Sequence, residues 1–362
     1  MKKKALLFAK IFIALAFLFY LFQKGDLDIR KVARAFQRWE WLLVALALNG
    51  ISMCVSVQRW RLLLESQGVL ISFWKAFKIA YIGYLFNTFM PGSVGGDMVK
   101  GYYIFRKQKT RRAQALFSVL LDRVLGLISL VLLASIAALF SLSFFWSNPN
   151  FRYLLLLLFG ISTLFLLSLL LFLTHHLKLP QKWEQKINPH SPSLLQRGFS
   201  KLYLSLTLYR KKPIYIFYAI LLSLISHVLT ISVLYCLAQT LHETSLTFGS
   251  YFVVVPIAMV VQAIPISFGA WGVGEAVFQH LFDIVAASRT QGANICLLWH
   301  MLVTFWNLWG ILFYLQEKAE VDQLIQEKEE EEWQNDWQAP AKSQSPKTPN
   351  PTETIEHLPH QP

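Results

Sequence analysis

The chain has 362 residues, of which 55% are hydrophobic, with a mean hydropathy of +0.43 and a formal net charge of +13. Its apolar residues gather into blocks about as long as a bilayer is thick, which excludes an ordinary soluble domain and predicts an integral membrane protein. Because the Lys and Arg residues flank these blocks, the positive charge indicates an anionic membrane surface rather than nucleic acid as the partner.

Six of these blocks are predicted to span the membrane fully, since a helix of about 20 residues crosses about 30 Å of hydrocarbon. The first block resembles a signal peptide, but Gln23-Lys24-Gly25 after it is not a small-residue cleavage site, so we interpret it as a retained helix. The predicted spans are residues 1–22, 41–58, 117–142, 153–174, 214–239 and 291–315.

The distribution of Lys and Arg predicts the orientation of these spans. The connectors 100–112 and 175–213 are rich in bases and are expected in the cytoplasm, whereas 143–152 and 240–250 hold one base between them and are expected outside. The segment 23–40, with five bases, falls outside by helix counting and is an exception to the rule. Counting the predicted spans from the cytoplasmic connectors places both chain termini in the cytoplasm.

Two apolar segments, near residues 76–99 and 251–288, must then enter and leave the membrane on the same side. Pro and Gly residues break both segments, so neither can keep its backbone hydrogen bonds as one helix, and the freed groups need protein or water partners. The breakers are Pro91, Gly92, Gly95 and Gly96 in the first segment, and Pro256, Pro265, Gly269, Gly272 and Gly274 in the second.

This pattern predicts two re-entrant hairpins of opposite orientation, a possible inverted repeat with a binding site between its halves. The expected fold is therefore all-α: a polytopic domain over residues 1–315 with about six full spans and the two hairpins. Residues 316–362 form an acidic and then Pro-rich cytoplasmic tail, which is expected to be largely disordered because it holds little apolar surface. A membrane-surface helix is predicted at 194–209.

Each hairpin ends in one carboxylate at the start of a new apolar helix. Asp97 follows the first set of breakers and Glu275 the second. A carboxylate in a membrane segment normally faces a cavity or a base and marks a pathway, while exposed N–H groups at a helix start attract phosphate. Either acid could instead only cap its helix. Asn87 and Gln262 precede the two breaks; the alternative for Asn87 is a hydrogen bond between helices.

Further charged residues follow the first hairpin. Asp122 and Arg123 are adjacent within a predicted span, so they point to different sides of the helix and each is expected to find a partner elsewhere. The alternative is that they reach the cytoplasmic interface. Lys100 and Arg106 could collect anionic lipid head groups, or they could serve only to set the orientation of the spans. The same two alternatives apply to Arg59. His227 and His300 lie near mid-span, where a lone histidine usually joins two helices.

The sequence offers no nucleotide-binding loop, zinc-protease motif or G-x-S-x-G nucleophile motif. The cysteines, Cys54, Cys236 and Cys296, are far apart inside predicted spans and have no metal-binding spacing. We therefore assign no catalytic residue, no metal and no cofactor.

Three motifs carry a family resemblance: N-x-F-M-P-G-S-V-G-G-D-M-V-K (87–100), L-D-R (121–123) and P-I-S-x-G-x-x-G-x-x-E (265–275). With them, residues 5 to 315 resemble the lysylphosphatidylglycerol synthase transmembrane-region family, the membrane half of the bacterial lysyl-lipid synthase/flippase. Lys100 stands where the family commonly has Arg, and Ala270 where it often has Gly. A lysine does not offer the bidentate phosphate contact of an arginine.

The resemblance implies a protein of the bacterial plasma membrane that binds or moves anionic or aminoacylated phospholipids. The 47 residues after the last predicted span are too few for the aminoacyl-transferase domain of the full-length relatives, so synthase activity is not expected from the chain. One alternative is a membrane transferase acting on a phospholipid or polyprenyl-phosphate, with Asp97 or Glu275 as general base. Another is a structural partner of a separate lipid-modifying enzyme.

Overall fold

The computed structural model describes residue 23 and residues 29–89, 95–108, 110–140, 146, 149–173, 205–264, 266–267, 269–285 and 287–317. The chain divides into a compact unit, Met1–Tyr314, and a second unit, Leu315–Pro362, of which residues 315–317 are described. The predicted first span and nearly all of the predicted tail lie outside the described residues. So do residues 194–204 of the predicted surface helix; the remainder, 205–209, is helical and begins and ends in buried residues, Ser205 and Tyr209.

The described residues are almost entirely helical and contain no strand, which confirms the all-α class. The main helices of the described part are α1 (Ile29–Ala35), α2 (Trp39–Ser66), α3 (Phe73–Phe89), α4 (Gly95–Lys107), α5 (Arg112–Phe140), α6 (Pro149–Leu173), α7 (Pro213–Thr240), α8 (Phe248–Gln262), α9 (Val273–Ile284) and α10 (Arg289–Leu308), and residues 205–211 form a further short helix. A short 3-10 helix, Phe36–Arg38, joins α1 to α2.

Four helical stretches in the described part are long and apolar enough to cross a membrane, and each contains or closely matches a predicted span. They are Phe36–Ser66, Arg112–Phe140, Pro213–Thr240 and Arg289–Glu317. The shortest has 28 residues, which corresponds to about 42 Å of helix and exceeds the hydrocarbon thickness of about 30 Å. The predicted span 153–174 coincides with α6, whose apolar part is Leu155–Leu171. The protein is therefore a multi-pass membrane protein.

Each breaker-rich segment consists of two short helices rather than one rod. Helices α3 and α4 have 17 and 13 residues, and α8 and α9 have 15 and 12. Even the longest corresponds to only about 26 Å, short of a full crossing. The helical pairs required for two hairpins are therefore present; their re-entry into the bilayer stays a prediction.

Two details of these segments differ from the sequence-based expectation. The basic stretch 100–112, expected to be a loop, continues α4 through Lys107, because Lys100, Tyr103 and Ile104 form a buried face at helical spacing. Pro256 does not interrupt its segment but lies buried inside α8. A proline is tolerated there because packing against neighbouring helices compensates for the one lost backbone hydrogen bond.

Glycine allows the two arms of the first hairpin to touch through their backbones. A Cβ atom on Gly96 of α4 would lie 2.0 Å from the Gly83 carbonyl oxygen of α3. Asn87 of α3 accepts a hydrogen bond from the Gly96 N–H at 2.8 Å. These contacts place the start of α4, with Asp97, directly beside α3.

Hydroxyl groups join α2 to α7 in the centre of the bundle. Ser52 Oγ lies 3.1 Å from the Ser226 carbonyl oxygen and 3.0 Å from Ser226 Oγ, while Ser56 Oγ lies 3.0 Å from Ser226 Oγ. Thr230 Oγ1 is also within 3.4 Å of Ser52 Oγ. Small polar residues let helices approach closely and bond in a solvent that offers no water. We refer to Ser52, Ser56, Ser226 and Thr230 as the hydroxyl seam.

Candidate functional site

The two hairpins meet at a cavity of about 460 Å³. The hairpins come close to each other where Gly269, in the break between α8 and α9, faces the Asn87 carbonyl oxygen: a Cβ on Gly269 would lie 3.9 Å from it. The hydroxyl seam forms part of the wall. The predicted site residues that line the cavity are Asn87, Asp97, Lys100, Asp122, Arg123, Gln262 and Gly269.

Asp122 binds two bases from two other helices. Its Oδ1 accepts a hydrogen bond from Arg59 Nε of α2 at 2.7 Å, and its Oδ2 accepts one from Lys100 Nζ of α4 at 3.1 Å. All three side chains are about nine-tenths buried. Because both carboxylate oxygens are engaged at short range, this cluster fixes α2, α4 and α5 relative to one another.

Further contacts hold the two bases of this cluster in place. Arg59 Nη1 donates a hydrogen bond to Ser223 Oγ of α7 at 2.6 Å. Lys100 Nζ lies 4.0 Å from the centre of the Trp60 ring, a cation–π contact, and Trp60 Nε1 donates to Ser118 Oγ at 3.2 Å. The cations are thus positioned before any ligand arrives, which lowers the cost of binding an anion between them.

Arg123 finds its partner in the first hairpin. Its Nη1 donates a hydrogen bond to Asp97 Oδ2 at 2.7 Å, and about a quarter of each side chain is exposed. Asp122 and Arg123 therefore have partners on different sides of α5, as the sequence predicts. Asp97 pairs with a base, one of the two roles expected for it.

The charged residues of the cavity do not balance. Arg59, Lys100 and Arg123 contribute three positive charges, whereas Asp97 and Asp122 contribute two negative charges. A surplus cation in a buried cluster is costly unless an anion compensates it, so the cavity is suited to a ligand with a net negative charge.

The second hairpin presents a different arrangement, because Glu275 is completely buried and does not line the cavity. Its Oε2 accepts a hydrogen bond from the Gly272 N–H at 2.7 Å, which caps α9. Its Oε1 lies 2.8 Å from His300 Nδ1 of α10. Glu275 therefore caps the helix, which was one alternative, and pairs with an ionisable group, but it does not line the path expected for it.

His300 connects this buried acid to the cavity wall. Its Nε2 lies 3.3 Å from Gln262 Oε1, and His300 and Gln262 both line the cavity. Trp271 and Trp299 pack on the imidazole ring, with centroids 5.1 and 5.5 Å away. The result is a continuous chain of contacts from Glu275 through His300 and Gln262 to the cavity.

Glycine makes this chain possible at two positions. Gly272 has φ +77°, a left-handed conformation that side chains rarely adopt, and it turns the backbone into α9. A Cβ on Gly274 would lie 2.8 Å from both Gln262 Oε1 and His300 Cε1, so only glycine lets α9 begin this close to them.

The remaining predicted site residues lie elsewhere. Arg106 is exposed on α4, outside the cavity, with its guanidinium 5.4 Å from the Tyr102 ring centre. Gly95 is buried at the start of α4. Pro91, Gly92 and Pro265 lie outside the described residues. Exposed N–H groups at the two helix starts were expected to attract phosphate; two N–H groups there, those of Gly96 and Gly272, donate instead to Asn87 and Glu275.

Arg59 and His300 line the cavity, although neither was among the predicted site residues. The predicted second span ends at residue 58, but α2 continues to Ser66, so Arg59 lies inside the helix. Asn49, Ser52, Ser56 and Arg59 recur three and four positions apart and all line the cavity. That spacing places them on one helix face and is a signal that the sequence carries.

One group of side chains has the residue types of a metal site. The ligand atoms of Glu275, Cys296 and His300 lie within 4.8 Å of one another. However, Glu275 Oε1 and His300 Nδ1 face each other at hydrogen-bond distance, and Glu275 Oε2 caps α9. The geometry is that of a hydrogen-bonded pair rather than of ligands arranged around an ion.

Comparison with known proteins gives one finding about the family. The family model described as "Lysylphosphatidylglycerol synthase TM region" matches residues 7–310. No curated protein and no solved structure matches the chain. The family match covers both hairpins and every helix that lines the cavity.

Proposed function

Because the chain belongs to the lysylphosphatidylglycerol synthase TM region family, we propose that it binds an anionic phospholipid or related lipid phosphate in the cavity and moves it between leaflets. The family match itself indicates a lipid-related role in the membrane and association with phospholipids. Placement in the bacterial plasma membrane, with both termini in the cytoplasm, is part of the proposal.

The surplus positive charge of the cavity is the observation that carries this proposal. Arg59 and Lys100 share the single carboxylate of Asp122, so together they have one positive charge left for a ligand. A lipid phosphate would add a negative charge and oxygen acceptors at the same place. Charge-assisted hydrogen bonds to phosphate are among the strongest that a protein forms.

The same charges favour an anionic head group over an aminoacylated one. Both cavity carboxylates, Asp97 and Asp122, accept hydrogen bonds from cavity bases, and Glu275 does not reach the cavity surface. An ammonium group on the ligand would have to compete with Arg59, Lys100 or Arg123 for a carboxylate. An anionic lipid needs no such exchange.

The broken hairpins supply the route in this proposal. Interrupted helices that meet near the bilayer midplane are typical of transporters, in which the two halves expose one site to each side in turn. The hydroxyl seam, Asn87 and Gln262 line the cavity together with the charged cluster. A polar head group could therefore pass while its acyl chains stay in the lipid.

Translocation of a labelled lipid in proteoliposomes tests the proposal. Fluorescent phosphatidylglycerol is reconstituted with the protein, and a membrane-impermeant quencher reports the fraction of label in the outer leaflet over time. We expect the protein to accelerate the exchange of phosphatidylglycerol more than that of phosphatidylcholine, which has no net charge. Equal rates with and without protein would contradict the proposal.

Lys100→Gln is the sharpest variant, because it removes the surplus charge but leaves the Arg59–Asp122 pair intact. Losing one charge-assisted contact to the phosphate should lower the rate about tenfold or more. Arg106→Gln is the matched control: it removes a base from the same helix outside the cavity and should leave the rate unchanged.

A further inference from the structure

The Glu275–His300 pair is a buried ionisable pair that has no role in the proposed lipid site. Glu275 is fully buried and His300 is 6% exposed. Among the described residues, His300 is the only ion-pair partner of Glu275. A carboxylate at this depth in a membrane protein normally marks a pathway for ions or protons.

The burial of the pair favours its neutral form, because an uncompensated charge inside a protein is costly. In that form His300 Nε2 carries a hydrogen, and the Gln262 carbonyl oxygen, 3.3 Å away, can accept it. A second proton then lies between Nδ1 and Glu275 Oε1, 2.8 Å apart. Whichever atom owns that proton, the pair as a whole is neutral.

Removing one proton changes both the charge and the cavity wall. The remaining ring hydrogen moves to Nδ1, where it faces the carboxylate, and Nε2 becomes an acceptor. Gln262 must then turn its amide so that its own Nε2 donates a hydrogen bond to His300 Nε2. The pair now has one negative charge, and a side chain that lines the cavity has reversed the polarity that it presents.

We propose that His300 and Glu275 form a proton-binding site that couples the uptake of one proton to the binding of an anionic head group in the cavity. The inference rests on the proposed function. An anion in the cavity disfavours the negative, unprotonated pair, so anion and proton bind together. By linkage, the proton then raises the affinity for the anion by the same factor.

The coupling would give the lipid movement a source of energy. A lipid phosphodiester carries one negative charge and the proton one positive charge, so the loaded cavity gains no net charge. A proton gradient across the membrane could then drive an anionic lipid in the direction in which protons flow.

Side chains from α8, from α10 and from the connection between α8 and α9 lie near the pair. Cys296 Sγ lies 4.0 Å from His300 Nδ1 on the same helix, while α8 contributes the uncharged Gln262 and the α8–α9 connection contributes Trp271. The other ionisable groups that line the cavity are Arg59, Tyr84, Asp97, Lys100, Asp122, Arg123 and His227. Of these, only His227 is a second imidazole, and its Nε2 contacts the Gly126 carbonyl oxygen at 2.9 Å.

The test measures the dissociation constant of short-chain phosphatidylglycerol for the full chain in detergent, from mildly acidic to mildly alkaline pH. This probe is a phosphodiester, so its own charge does not change over the range. We expect the affinity to fall about fivefold or more as pH rises, because the pair loses its proton. Calorimetry in buffers of different ionisation enthalpy should report net proton uptake, up to one per lipid bound, on the unmodified protein.

Glu275→Gln should abolish the pH dependence and the proton uptake. His300→Gln should have the same effect and replaces Glu275→Gln in the test if that variant does not fold. Asp283→Asn and His227→Gln should retain both. The former is the matched carboxylate control, since Asp283 lies on α9, half exposed and paired with Arg289; the latter removes the other cavity imidazole.

Three outcomes can be distinguished. Binding that weakens with rising pH in the unmodified protein but not in Glu275→Gln supports the coupling. Binding that is independent of pH, or equally dependent on pH in both proteins, overturns the coupling and leaves the proposed lipid site standing. No binding at any pH overturns both.

Discussion

Gly96 and Gly83 face each other so closely that the first hairpin closes backbone against backbone. Any side chain at position 96 would meet the Gly83 carbonyl oxygen, a backbone atom that can yield only if a helix moves. The same contact positions Asp97 for Arg123 and Lys100 for Asp122. The glycines between the helices therefore determine where the cavity charges lie.

Gly96→Ala should destabilise the protein, because the added Cβ would lie 2.0 Å from the Gly83 oxygen and 2.6 Å from Asn87 Cγ. Overpacking of this kind typically costs about 1–3 kcal/mol. Thermal unfolding of the purified protein in detergent measures the loss. Gly160→Ala is the control: nothing lies within 4 Å of its added Cβ, so its stability should be unchanged or slightly higher. Equal melting temperatures for the two variants would contradict the proposed packing.

Asp122→Asn should be among the most damaging single substitutions in the bundle. It keeps the shape of the side chain but leaves Arg59 and Lys100 buried without their carboxylate. Breaking a buried ion pair in this way costs about 3–5 kcal/mol, and chemical or thermal unfolding in detergent measures it.

The Asp122 prediction has a rescue and a control. Adding Lys100→Met to Asp122→Asn removes one of the two unpaired cations and should recover part of the lost stability. Asp283→Asn breaks an exposed pair with Arg289, at 3.8 Å, and should change stability by about 0–1 kcal/mol. A cost for Asp122→Asn no larger than for Asp283→Asn would show that the buried cluster does not stabilise the fold.

Asp97 and Arg123 should act as a unit in lipid translocation. We expect Asp97→Asn and Arg123→Gln each to lower the rate, and the double variant to be less impaired than the two single effects combined, because each removes the same contact. Coupling energies between residues in contact are about 0.5–3 kcal/mol. Translocation rates of the four proteins measure the coupling. Strict additivity would indicate that the pair does not function as one element.

Gly274→Ala should disturb the second hairpin without moving its backbone. The new Cβ meets the ends of two side chains, Gln262 Oε1 and His300 Cε1, both at 2.8 Å. We expect a stability loss of about 1–2 kcal/mol and a slower translocation of phosphatidylglycerol. Gly249→Ala in α8 is the control, since the nearest atom to its added Cβ, Thr247 Oγ1, is 3.8 Å away. If both variants translocate at the parental rate, the position of Gln262 and His300 does not matter for transport.

The sequence predicted the two broken segments because their signal is local. Helices start, or the chain turns, at Gly95, Gly96, Gly269 and Gly272. Glycine permits such turns through the freedom of its own backbone, so the residue type itself is the signal. Pro256 misled the prediction for a complementary reason. Its effect depends on the helices packed around it, which no local pattern specifies.

The partners of the charged residues could not be predicted because they are far apart in the chain. Asp122 is 63 positions from Arg59, and Glu275 is 25 positions from His300. A sequence shows that a buried acid needs a partner but not which base the fold brings to it. The helical spacing of Asn49, Ser52, Ser56 and Arg59 indicates a polar face of α2, and hence a cavity, without naming Asp122.

The hydroxyl seam gives Ser52 of α2 more than one hydrogen-bond partner on α7. Ser52 Oγ has three oxygen neighbours within 3.4 Å: the Ser226 carbonyl oxygen, which accepts its hydrogen bond, and the hydroxyl groups of Ser226 and Thr230. If α2 shifts slightly along α7, a hydroxyl that loses one of these partners has another within reach. We expect α2 and α7 to stay bonded to each other through small displacements.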